Sequence, residues 1–148
     1  MTRNRLEAFS DGVLAIVITI MVLELKVPHD ETFAALLPLG SVFLAYVMSF
    51  IYLAIYWNNH HHMFHLVHKI NGKILWANLH LLFWLSLVPF STEWMGKTDM
   101  APIPTLIYGC NLFFAAIAYY LLQSTIIFSE EINFKLKEAV GKDLKGKA

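Results

Sequence analysis

Four long apolar stretches separated by short polar segments organise this chain. A helix that crosses a hydrocarbon core needs about 20 predominantly apolar residues. Four stretches reach that length, at about residues 6–27, 33–57, 74–92 and 103–128. The first has Asp11 and Glu24 near its ends, and the other three are uncharged. Pro102 and Pro104 form a helix-start signal for the fourth. The alternating segments of about ten residues that mark a membrane barrel are absent from the sequence. The pattern predicts an all-α integral membrane bundle with four transmembrane helices. The first run begins near residue 6 with no small-residue cleavage site after it, and is read as a retained span. Residues 28–32, 58–73 and 93–101 are the expected connections. Residues 129–148 form a polar tail that Gly141 and Gly146 weaken as a helix, and fraying is expected at its end.

Composition sharpens the class. Of 148 residues, 57% are hydrophobic and 15% charged, against roughly 45–50% and about 25% in a soluble domain. The formal net charge is zero, which leaves no electrostatic footprint for nucleic acid. Cys110 is the single cysteine and cannot form an intrachain disulfide. With four crossings, Arg3, Arg5, Lys69, Lys73 and the tail lysines at 135, 137, 142, 145 and 147 share one side, and only Lys26 and Lys97 lie on the other. That asymmetry places both termini in the cytoplasm.

Candidate chemistry is concentrated in the first helix. Ile16, Ile20 and Leu23 are spaced by four and three, so they stack on one helix face. Val13 and Val27 extend that stripe, and Thr19 lies beside it. Such a stripe either packs against lipid and protein or lines a pore, where bulky aliphatics close a path by dewetting. Arg5 and Asp11 are six apart and fall on different faces. Each is either a local device (an interfacial anchor, a first-turn acid) or part of a polar network with Ser10, which otherwise caps its own helix. The run His60-His61-His62, with His65 and His68, has the i, i+4 spacing that suits zinc or another transition metal. His80 could add an imidazole. The run itself holds no cysteine or carboxylate, and there is no His-Glu-x-x-His pattern. Imidazoles also titrate near neutrality. Asn78, His80 and Asn111 lie within spans, where polar groups hydrogen-bond between helices. Glu24 is placed at the outer interface. No nucleophile elbow, P-loop or paired-carboxylate site is present, which argues against an enzyme. No Thr-Val-Gly-Tyr-Gly filter is present either.

Arg5-x-x-x-Phe9-Ser10-Asp11 at the start of a first span resembles the signature of the transmembrane protein 175 family, the endosomal and lysosomal potassium channels of animals and their shorter bacterial relatives. The continuation Gly12-Val-Leu-Ala-Ile-Val-Ile-Thr, the segment Tyr56-Trp57-x-Asn59-His60-His61 and Leu87-Val-Pro89-Phe90 are similar to the bacterial branch. The resemblance implies a potassium-permeable channel in the bacterial inner membrane, a homotetramer around a pore lined by the first helix. It needs no cofactor or resident metal, and its partners are its own copies, the bilayer and potassium ions. Ile16 corresponds to the narrow hydrophobic gate, with Ile20 and Leu23 on the next pore-facing turns and Thr19 influencing selectivity. Arg5, Phe9, Ser10 and Asp11 inherit the role of holding the pore helix to its neighbours, with His61, Asn78 and His80 as candidate polar partners. The family's repeat usually has six spans, whereas this chain has apolar length for four. Two rival readings remain: a metal- or haem-binding membrane protein using His60, His61, His65, His68 or His80, and a non-conducting accessory subunit.

Overall fold

The computed structural model describes residues 1–146, and they form an all-helical bundle. Helix α1 is Arg3–Leu23. A 3-10 segment, Phe33–Leu39, leads into α2 (Gly40–His65). Then come α3 (Gly72–Ser86), α4 (Val88–Lys97) and α5 (Pro102–Gly146). Among the described residues four helical units are long and apolar enough to cross a membrane: Arg3–Leu23, Phe33–His65, Gly72–Lys97 and Pro102–Lys142.

Local chemistry explains where the helices begin and end. The Thr2 hydroxyl accepts from the Arg5 backbone N–H at 3.3 Å and caps α1, and the Asn71 carboxamide accepts from Ile74 N–H at 2.9 Å and caps α3. Both satisfy helix-start donors that have no partner inside the helix. Helix α1 ends at Leu23 with Glu24 as its C-cap. Val27 lies beyond it, 87% exposed, so the aliphatic stripe stops at Leu23.

Several helix boundaries differ from the sequence expectation. Helix α2 continues through the histidine run to His65 instead of ending near Trp57. Asn58, Asn59 and the histidines are only mildly unfavourable in a helix, and burial of His60, Met63 and Phe64 holds these turns on the bundle. The third unit is broken between α3 and α4, where Pro89 lacks an N–H and disfavours helical backbone in the residue before it. Beyond the break α4 runs on to Lys97, so Glu93 sits on a helix and pairs with Lys97 one turn later. Helix α5 is a single helix of 45 residues, about 67 Å long at 1.5 Å per residue. The expected tail is therefore helical through Gly146, and residues 147–148 lie outside the described residues. Its glutamates and lysines are good helix formers, which outweighs Gly141 at about 1 kcal/mol.

Helix α5 packs along α3 and α4, α2 packs along α4, and α1 lies on α2, α3 and α4. The shared core includes Leu14 and Val17 of α1, Leu53 and Phe64 of α2, Leu81 and Leu85 of α3, and Ala115, Ala118 and Leu122 of α5. The buried alanines let α5 approach closely, as small residues do between membrane helices. Buried hydroxyls and amides are paired across helices. The Ser49 hydroxyl lies 2.7 Å from that of Thr92 and 2.9 Å from that of Tyr108. The Asn111 amide donates to the Trp84 carbonyl at 2.8 Å and accepts from Ser91 at 2.8 Å.

Candidate functional site

Helix α1 has two apolar faces with opposite fates. Leu6, Ser10, Leu14, Val17 and Met21 recur at spacings of four and three and are buried. On the other side Phe9 is 52% exposed, Ile16 59%, Ile20 42% and Leu23 71%. At 100° per residue, Arg5, Phe9, Gly12, Ile16 and Leu23 form one narrow strip along the helix, with Thr19 and Ile20 flanking it. Thr19 is exposed on that face, and its hydroxyl is satisfied within the helix by the Ala15 carbonyl at 2.8 Å. Beside the strip, a groove of about 480 Å³ runs between α1 and the α3–α4 break, lined by Ile16, Ile20, Glu24, Ser86 and Phe90 among others.

The buried face is fastened by a relay across three helices. His60 of α2 donates from Nε2 to the Asn78 Oδ1 of α3 at 2.7 Å. Asn78 donates from Nδ2 to the Ser10 hydroxyl of α1 at 2.9 Å, and Ser10 donates to the Leu6 carbonyl at 2.8 Å. All three side chains are buried. His60 Nδ1 is buried without a partner among the described residues, and the ring stacks on Phe64 with centroids 4.4 Å apart. Asp11 is held separately, accepting from Trp57 Nε1 of α2 at 3.0 Å.

These contacts redistribute the roles expected from the sequence. Ser10 and Asn78 meet as candidate partners. His61 does not join them: it turns outward, with Nδ1 3.7 Å from Glu7 and Nε2 3.0 Å from His65 Nε2. The neighbouring His60 takes the buried place, because it falls in register with the buried positions Ser49, Leu53, Tyr56 and Phe64. That register was the signal available in the sequence. His80 accepts from Trp84 Nε1, one turn on in its own helix, and has no part in the relay. Arg5 is exposed, and among the described residues its side chain makes no hydrogen bond or ion pair; its backbone N–H donates to the Thr2 hydroxyl. Phe9 is exposed rather than packed. The arginine that clamps helices is Arg3, whose guanidinium donates at 3.3 Å to the carbonyls of His65 and Val67 at the end of α2. It also lies 3.7 Å from Glu7. Among the described residues no group of three or more His, Cys, Asp or Glu side chains is arranged to hold a metal ion.

Comparison with known proteins places this geometry. A family model described as the endosomal/lysosomal potassium channel TMEM175 matches residues 5–89, which take in α1 from Arg5 onward, α2, α3 and all three members of the relay. The chain belongs to the TMEM175 family. A Chryseobacterium protein named as a potassium channel is 62% identical over 140 residues, 95% of this chain and 73% of its own length. A Streptomyces collinus protein, also named as a potassium channel, is 32% identical over 80% of this chain and 62% of its own length. The crystal structure of a lysosomal potassium-selective channel TMEM175 homologue from Chamaesiphon minutus superimposes with a TM-score of 0.77 at 32% identity. It covers 92% of this TMEM175 chain and 78% of the Chamaesiphon one. In this TMEM175 chain the Ser10–Asp11 pair therefore sits inside the region the family model describes, and the exposed strip occupies the same helix.

Proposed function

We propose that this chain is a potassium-permeable channel subunit, four copies of which enclose a pore lined by the exposed strip of α1. The observation that carries this reading is the division of α1. One face is fixed to α2 and α3 by the His60–Asn78–Ser10 relay and by Asp11–Trp57, and the opposite face carries Ile16, Ile20 and Leu23 exposed. A helix held rigidly on one side is suited to present the other to a shared axis. A single copy cannot enclose a path, so assembly is required. Ile16 forms the aliphatic constriction, Ile20 and Leu23 line the turns above it, and Thr19 lies beside Ile20, about one turn from the constriction. Ion passage is passive, and without a carbonyl filter selectivity rests on the lower dehydration cost of potassium in a tight apolar ring. Lys69, Lys73 and the lysines of α5 lie with the N-terminus at the end of the bundle assigned to the cytoplasm, in the inner membrane.

Replacing Ile16 with Asn should wet the constriction. In liposomes loaded with potassium or sodium, I16N is expected to raise both fluxes and lower the potassium-to-sodium ratio. Fluxes equal to the parent's would remove Ile16 as the gate.

A further inference from the structure

Between the start of α3 and the stretch of α5 that follows its uncharged run lies a cavity of about 510 Å³. Its polar wall includes Asn71, Lys73, Ser129 and Asn133, and its apolar wall is Phe128 and Ile132. The Asn71 carboxamide donates to the Ser129 hydroxyl at 2.7 Å and closes the floor between the two helices. Phe128 and Ile132 are 59% and 50% exposed. The uncharged run of α5 ends at Phe128, and α3 enters its own apolar run just after Lys73. The cavity therefore straddles the boundary between hydrocarbon and headgroups on the side assigned to the cytoplasm.

We infer that this cavity binds the headgroup and upper acyl chain of an anionic phospholipid. The division of the lining matches that ligand: a lysine, a hydroxyl and carboxamides for a phosphodiester, and an aromatic and an aliphatic side chain for the first methylenes. Charge decides the sign. The lining contains one cation and no carboxylate, and among the described residues Lys73 makes no ion pair that would occupy it. The larger neighbouring cavity of about 680 Å³, between α2 and α5, is lined by Glu130 and Glu131 and would repel the same headgroup. Lysines at a membrane surface contribute attraction to anionic lipid individually, and Lys73 is exposed and able to swing to the phosphate.

The test uses the full chain, delipidated in detergent. It is titrated with phosphatidylglycerol or phosphatidylcholine of identical acyl chains, with bound lipid read by native mass spectrometry and glycerol phosphate titrated in parallel. Phosphatidylglycerol is expected to saturate at one molecule per chain. Lys73→Gln should weaken it roughly fivefold, the effect of about one surface lysine. Asn133→Asp, which keeps the side-chain size and adds a carboxylate, should weaken it at least as much, and Lys97→Gln at the opposite end should leave it unchanged. Equal retention of phosphatidylcholine would overturn the assignment, as would parental affinity in both cavity variants. Glycerol phosphate binding as tightly as the lipid would overturn the choice of a lipid over a free phosphate. The readout is binding, so it stands or fails separately from ion conduction.

Discussion

Both ends of the Asn78 amide are occupied, one by His60 and the other by Ser10, and all three groups are shut away from water. Asn78→Leu, of similar size, would leave the His60 Nε2–H buried without an acceptor. A buried donor left unpaired costs about 1–3 kcal/mol, so thermal unfolding in detergent should show a loss of that order. Arg5→Gln should behave differently. Among the described residues the Arg5 side chain makes no hydrogen bond or ion pair, so the stability of the single chain should stay within about 0.5 kcal/mol, and any effect should appear only in an assembled form. At this scale the sequence was legible in part. Spacing put Ile16, Ile20 and Leu23 on one face, and they do share an exposed one. Hydrophobicity could not separate Ile16 from its buried neighbour Val17, because lipid, pore and protein interior all accept an aliphatic side chain. Nor could residue type choose between His60 and His61, which differ by 100° of helix rotation. The clamping role of Arg3 gave no signal, since its partners are backbone carbonyls at and beyond the end of a distant helix.

Among the elements, α4 and α5 show where apolar length alone fell short. A run of apolar residues marks the part of a helix inside the bilayer but not where the helix stops. Helix α5 continues past Phe128 and α2 past Trp57 because nothing in either sequence breaks them. The α3–α4 break was the reverse case, a continuous apolar run interrupted by Pro89. Close packing sets another limit. A Cβ built on Gly96 of α4 would stand 3.0 Å from the Val42 Cα of α2. Gly96→Ala should therefore wedge α2 from α4 and destabilise by about 1–3 kcal/mol, as overpacking does, measurable as a lowered unfolding midpoint. Just past Phe128, α5 is tied to the α2–α3 connection by Glu130, which accepts from the His68 backbone N–H at 3.0 Å and meets its ring Nδ1 at 2.9 Å. Partial burial pushes the Glu130 carboxyl up, but the His68 bonds outweigh it and hold it below its ordinary value. The ionised form is thus the one the fold favours. Its contribution is complete above the ordinary carboxylate range and is lost as pH falls through the lowered value. Hydrogen exchange of residues 66–71 should quicken on acidification through that window, and Glu130→Gln should abolish the pH dependence.

For the whole molecule, the fold leaves α1 at the margin of the bundle, packed on α2, α3 and α4, with its outer strip uncovered. In the proposed assembly, copies of this strip face one another around a water-filled axis. Cysteine accessibility tests it most directly. In a Cys110→Ala background, Leu23→Cys lies on the strip and Ile20→Cys at its edge, while Val22→Cys is exposed but turned off it. In liposomes under potassium flux, a charged water-soluble thiol reagent is expected to modify the two strip cysteines and block the flux while leaving Val22→Cys conducting. Unreactive strip cysteines, or block equal at all three positions, would contradict it.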